Sequence, residues 1–451
     1  MQFKKMLLAL IALVSTAVVA PQAQAVPAFA RQVGMPCSAC HFQHFPVLNS
    51  FGRAFKEGGF TMTGAQEKIE AEGVSIPAVL NGALVGYMAY QKTNGPSTPN
   101  GNGTSTTNET SKNTNDGSLQ IPQQVSLFLA GRAGEHVGFE TEINISGAGV
   151  ETAGATGAGL IRLKVPMIYD VDNVKAGLVP FSTQGLGVAD SFEVMNTGAV
   201  AVHAFNQSDM GAISAQQYIG TATAANGVAF IASNENFFAN VAKWGANSGG
   251  GTSGAPSSNY FRGAWTTGLI PGFDSAIGFQ VWNGTSAVDP DTVAVAGGPT
   301  QFVTGVVDTK ASAVDAQMMG DVSGMPLLLV VSYAKAPAGN QNNTGGNPSL
   351  FNQNPGDRKS FNIGAELGVI PGKATLQAGL RHASSGATID GASGNASDNA
   401  LLMGVTYNLA LNVRLELTYS KYSGDLYNAY WVSQVGYLGD NLTTFDLAFG
   451  W

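Results

Sequence analysis

Leu411-Asn412-Val413-Arg414-Leu415-Glu416-Leu417-Thr418-Tyr419 is the stretch on which the fold turns. Leu411, Val413, Leu415, Leu417 and Tyr419 fall on one face of an extended chain; Asn412, Arg414, Glu416 and Thr418 fall on the other. The same period of two recurs elsewhere. Phe361 to Val369 carries it with Asn362, Gly364, Glu366 and Gly368 as the polar set. Ile161, Leu163, Val165 and Met167 alternate with Arg162 and Lys164, and Val137, Phe139, Ile143 and Ile145 with Glu140 and Glu142. A soluble sandwich alternates in the same way, so the connections must decide.

They come in two lengths that take turns. Tight ones fall near Gly134, Val171-Asp172-Asn173, Ile270-Pro271-Gly272, Asp321-Val322-Ser323-Gly324, Ile370-Pro371-Gly372 and Asn408-Leu409-Ala410. Between them run long Asn/Gly/Ser/Thr-rich stretches at 92–118, 245–257, 336–357 and 386–398. Segments of about ten residues joined by alternating short turns and long loops mark a transmembrane β-barrel. Phe445, Leu447, Phe449 and Trp451 alternate to a terminal aromatic, which resembles the signal by which barrel proteins are recognised for outer-membrane assembly. The reading is all-β: an antiparallel outer-membrane barrel over 79–451 of about sixteen strands, an even number. The stretch 185–226 is read as one strand amid a long loop.

Composition agrees. Of 451 residues, 12% are charged and 58 are glycine, and no basic patch points to nucleic acid. Lys4 and Lys5, the apolar run Leu7 to Ala20 and Ala23-Gln24-Ala25 read as a secretory signal occupying 1–25. Removing it takes the net charge from −8 to −10.

Residues 26–78 carry a different chemistry. Cys37-Ser38-Ala39-Cys40-His41 is C-x-x-C-H, the attachment pattern for haem c. Its two thiols form thioethers to the vinyl groups, and the imidazole that follows is the proximal iron ligand. A redox dithiol wants a thioredoxin-like context. A zinc site wants two more ligands, and the chain has 2 cysteines in all. A disulfide leaves His41 unexplained. Val47, Leu48, Phe51 and Phe55 recur at helical spacing until Gly58-Gly59, with the phenylalanines as packing against the haem. Arg31 and Arg53 are read either as propionate partners or as a solvated face. Met62 is the candidate for the opposite axial position; a residue from elsewhere or an open position stand beside it. His44 is too close to His41 to wrap to the far face and is read as a pocket-edge residue. About fifty residues are marginal as a domain, so this α-helical segment is expected to plug the lumen that a barrel of this width encloses.

The run from Phe29-Ala30-Arg31-Gln32 through Cys37-Ser38-Ala39-Cys40-His41 to Phe45-Pro46-Val47-Leu48-Asn49-Ser50-Phe51-Gly52-Arg53-Ala54-Phe55-Lys56 resembles the fused cytochrome–porin family. Its best-known members are outer-membrane monohaem cytochromes of iron-oxidising bacteria. The motif covers about residues 27–62; the barrel matches in architecture. Gln43-His44 departs from the pattern of some iron oxidisers. The resemblance implies one covalent haem c on Cys37 and Cys40, ligated by His41, held in the lumen. It further implies an electron-transfer protein oxidising extracellular Fe(II) and delivering to a periplasmic c-type cytochrome or similar carrier. Glu140, Glu142, Glu366 and Glu416 are expected in the lumen, where acidic groups raise the local cation concentration. A diffusion porin with a gating or sensing haem segment and a small-ligand haem enzyme are the competing functions. Wide barrels of the porin kind often form trimers, so a homotrimer in outer-membrane lipid is among the expectations.

Overall fold

The computed structural model describes residues 28–450, less 65, 73, 95–116, 148–158, 199–213, 247–255, 269, 289–304, 340–346, 389–395, 411 and 428–438. The signal read at 1–25 and the terminal Trp451 lie outside the described residues. Sixteen strands close into one antiparallel barrel. They are β1 Gly82–Thr93, β2 Ser118–Arg132, β3 Gly138–Gly147, β4 Gly159–Lys164 with Met167–Val171, β5 Val174–Thr183, β6 Ala225–Ser233, β7 Phe237–Ala246 and β8 Ser258–Thr267. The second half runs β9 Phe273–Asn283, β10 Ala311–Val322, β11 Met325–Ala336, β12 Arg358–Ile370, β13 Ala374–Ser384, β14 Asn399–Ala410, β15 Val413–Ser423 and β16 Asn441–Gly450. Both pieces of β4 pair with β5. They part at Val165-Pro166, where proline has no amide to give the ladder. β16 closes on β1, with Phe445 opposite Tyr90, so no edge is left to aggregate.

The alternation sorts lipid-type from lumen-type faces. In β15, Leu417 and Tyr419 are 49% and 44% exposed, while Glu416 and Thr418 are 3% and 2%. The apolar set points out of the barrel all round, through Phe230, Phe261, Phe279, Leu376 and Leu380 among others. Soluble monomers rarely expose apolar patches beyond a few hundred Å²; a hydrocarbon solvent removes that cost. At the β10–β11 turn, Val322 pairs with Met325 across Ser323 and Gly324, both at positive φ (56° and 82°). That is the twist-matched two-residue hairpin.

The stretch 185–226 differs from its reading. Its described residues before Ala225 contain no strand, but a 3-10 turn at Val188–Ser191 and a short helix at Ala215–Tyr218. Val188, Ala189, Phe192, Val194, Met195 and Ile219 are all buried, packed in one cluster with Trp244, Tyr260 and Trp282 of the inner wall. Gly187-Val188-Ala189-Asp190-Ser191-Phe192 lacks the period of two, so it has no polar face to line a lumen and folds inward as core. Arg262 of β8 pins it, pairing with Glu193 at 2.9 Å and with Asp315 of β10 at 2.6 Å. Glu193 also accepts the amides of Val194 and Met195 at 3.0 and 2.8 Å.

Candidate functional site

The N-terminal segment lies across the short-turn end of the barrel. Helix α1 spans Ala28–Val33 and α2 spans Ser50–Glu57. Asn49 caps α2, accepting from the Gly52 amide at 2.9 Å, and the helix ends at Gly58, followed by Gly59 at φ 66°. The stop therefore falls where the glycines put it. The start does not include Val47 and Leu48, which precede the cap; Leu48 instead bridges back onto His41. Phe55 is buried against Phe29 and Phe60, ring centroids 5.2 and 5.9 Å away.

C-x-x-C-H forms a single tight turn. The Cys37 carbonyl accepts from the amides of Cys40 at 3.1 Å and His41 at 2.9 Å. Asn49 staples the turn from outside: its amide N–H bonds to the Cys40 carbonyl at 3.0 Å, and its side-chain Nδ2 donates to the Ala39 carbonyl at 2.9 Å. Gly52 sits so close that a Cβ there would lie 2.2 Å from the Cys40 carbonyl oxygen. Both thiols are free and half-buried. Burial raises the pKa of each, opposite to the depression that makes a dithiol redox-active.

His41 Nδ1 lies 3.2 Å from the Val47 carbonyl. That acceptor holds the proton on Nδ1 and leaves the Nε2 lone pair free to ligate a metal, as a carbonyl behind a metal-binding imidazole usually does. Burial, acting more strongly than the hydrogen bonds to the Val47 and Pro46 carbonyls, lowers the His41 pKa to about 4, so the ring is neutral. Two free thiols on one turn and a neutral, oriented imidazole are the donor set haem c requires. The residues fit the group.

The segment reaches the wall at many points. His44 Nε2 meets Glu366 of β12 at 2.6 Å, and Arg414 of β15 donates to the Phe45 carbonyl at 2.7 Å. Asn196 of the inward-folded stretch clamps Leu48 both ways, accepting its amide at 2.8 Å and donating to its carbonyl at 2.9 Å. Val47 packs on Met319, Leu328 and Val330 of β10 and β11. On the far side, Arg132 of β2 donates to the Thr61 carbonyl at 3.0 Å. The strand residues among these all lie in the half of their strand nearer the short turn.

Three sequence readings change. His44 is a wall anchor whose partner lies 322 residues away, which no local signal announces. Burial alone would lower its pKa, but the charge and hydrogen bond of Glu366 more than offset this and raise it. Arg53 is buried and meets Asp274 of β9 at 2.5 Å, so it is a wall contact and not a solvated face. The four expected lumen carboxylates are paired: Glu142 meets Arg162 at 2.9 Å, Glu140 meets Arg162 at 3.5 Å and Lys164 at 3.6 Å, Glu416 meets Arg414 at 3.4 Å, and Glu366 meets His44. Cys37, Cys40 and His41 come together as read. Met62 is 43% exposed, with its carbonyl held by Gln32 Nε2 at 2.6 Å. Its neighbour Thr61 lies against β2, whereas the loop after His41 lies against β12 and β15.

No family model matches the sequence, and no curated protein does. Solved porin structures match the fold. OmpF of Salmonella typhi, crystallised with daunomycin, aligns over 85% of this chain and 100% of its own at 12% identity, TM-score 0.50. OprB of Pseudomonas putida aligns over 83% of this chain and 94% of its own, also at 12% identity and TM-score 0.50. At such identity the likeness establishes the fold: a sixteen-stranded barrel resembling outer-membrane porins.

Proposed function

We propose that this chain is an outer-membrane electron-transfer protein: a porin-type barrel closed by its own N-terminal segment, which carries one haem c on Cys37, Cys40 and His41. The observation that carries the reading is the C-x-x-C-H turn with free thiols and an Nδ1-anchored histidine, set among wall contacts at the barrel mouth. The apolar outer face supports placement in a bilayer, and the strand architecture supports the outer membrane. Haem bound there supplies a one-electron centre within a layer that otherwise blocks electrons. The chain's own residues do the rest. Asn49 and Gly52 hold the turn, Val47 orients the imidazole, and His44, Arg414 and Asn196 fix the segment to the wall. The donor is extracellular Fe(II) and the acceptor a periplasmic carrier; Met62 is the residue of the segment that would offer the iron a second ligand, beside a residue from elsewhere or an open position. The unit of assembly is a trimer.

Anaerobic mixing of haem-loaded oxidised protein with Fe(II), near neutral and at acid pH, tests this through the haem absorption bands. Rapid reduction supports the proposal. Reduction by dithionite but not by Fe(II) at either pH removes iron as the donor. A second reading, a diffusion channel gated by the N-terminal segment, draws on the likeness to OmpF and OprB. Steady ion conductance of the intact chain in planar bilayers favours it; a closed lumen that conducts only after residues 28–64 are removed favours the plug.

A further inference from the structure

Charge on the barrel strands is sorted with unusual strictness. Among the described residues, the outward-facing positions of the sixteen strands carry five charges, all lysine: Lys92, Lys243, Lys335, Lys359 and Lys421. Every other charged strand residue lies at an inward or turn-end position. All five lysines sit within three residues of a strand end that enters a long loop, in β1, β7, β11, β12 and β15. At the short-turn rim no strand position facing outward carries a charge; the barrel lysines described there are Lys175, at an inward position of β5, and Lys373, in the β12–β13 turn over the Tyr407 ring at 5.1 Å. Four of the five have an exposed aromatic two residues nearer the barrel equator on the same face: Tyr90, Tyr333, Phe361 and Tyr419, at 38–44% exposure. Aromatic rings at that level mark the headgroup boundary of a membrane-spanning barrel, which puts the lysine ammonium groups among the headgroups.

The register makes two clusters. Lys335 lies directly opposite Lys359 across β11–β12. Like charges so placed repel unless an anion lies between them. Asp357 bonds both, at 2.7 and 3.4 Å, and neutralises one charge of the two. Lys421 of β15 meets Asp440 at 2.5 Å, and Asp440 in turn bonds Asn94, beside Lys92 of β1. Each cluster keeps one positive charge in excess, facing lipid.

We infer that these two lysine pairs are seats for the phosphate groups of anionic lipids in the leaflet around the long loops. The lysines anchor the barrel vertically at the loop end. The inference rests on the barrel spanning a membrane and not on the haem. Every phospholipid headgroup offers phosphate oxygens at the depth of the ammonium groups, but a zwitterionic one brings its own cation, so only an anionic headgroup compensates the excess charge. Attraction of this kind strengthens lipid retention about fivefold per lysine.

The test uses the full chain in detergent, offered equal amounts of phosphatidylglycerol and phosphatidylcholine, with retained lipid counted by native mass spectrometry. Phosphatidylglycerol should be enriched on the wild type and lose most of its enrichment in the K92Q/K335Q/K359Q/K421Q variant, while the matching Lys→Arg variant keeps it. The strand signal in circular dichroism and insertion into vesicles confirm that each variant is folded. Equal retention of both lipids by the wild type overturns the inference, as does unchanged enrichment in the glutamine variant. Competition by inorganic phosphate beyond that of chloride at equal ionic strength would assign the seats to free phosphate and overturn the lipid assignment. A chain that never inserts into vesicles sinks the membrane reading itself.

Discussion

The two halves of the barrel interior obey one sequence rule and do opposite things with it. Around β7 to β9 the inward positions hold Trp244, Tyr260 and Trp282, and the inward-folded stretch covers them as a dry core. Around β13 to β3 the inward positions hold Gln377, Thr418, Thr444, Gln91 and Glu142, a polar wall in which Gln91 donates to Thr444 and Gln124 to Glu142. Outward positions are mainly apolar in both halves, with lysines only near the long-loop ends. A period of two therefore specifies which face meets lipid; whether the other face becomes core or polar lining depends on which piece of chain is folded onto it.

The sharpest way to break this contrast is Arg262→Ala in the dry half. It strands Glu193 and Asp315 without their cation and should lower stability by about 3–5 kcal/mol, read from urea midpoints in detergent. Next is Asn196→Ala, at the join between the dry half and the N-terminal segment. Losing both bonds to Leu48 should cost about 1–3 kcal/mol and speed proteolysis within residues 28–64. In the polar half, Thr444→Val removes the acceptor of the Gln91 amide, 3.3 Å away, and should cost within about 1 kcal/mol. A loss as large as that of Arg262→Ala would mean that the halves do not differ.

The His44–Glu366 anchor adds a pH dependence to the polar side. Its folded pKa is raised, so its contribution is fully present below the free-histidine value of about 6.5. It fades as pH rises through the folded value. Bilayer conductance through a loosened plug should grow from acid to alkaline pH in the wild type, and lose that dependence in His44→Ala. A flat wild-type profile would place the hold on the segment elsewhere, in Asn196 and Val47.

How much was legible follows the range of each signal. Alternation in Leu411 to Tyr419 needs only neighbours, so strand faces and the number of strands could be read directly. C-x-x-C-H is equally local, and the structure forms it into one turn. The glycines stopped α2 where expected, but its start was misplaced because Val47 and Leu48 match helical spacing while pairing back to His41. The role of His44 could not be read, since its partner is hundreds of residues away; the salt bridge of Arg53 to Asp274 was hidden in the same way. The stretch 185–226 was read as one strand amid a long loop; that its described part folds inward depends on packing against strands far along the chain.

The sequence by itself determined the barrel, its alternating short and long connections and the tight turn of Cys37–His41, because each is written within a few residues. Tertiary structure alone decided what fills the lumen, which carboxylates are spent on arginine and lysine, and that five scattered lysines line one rim. Closing sixteen strands into a ring sets residues far apart in the chain side by side, and such meetings leave no trace in local pattern.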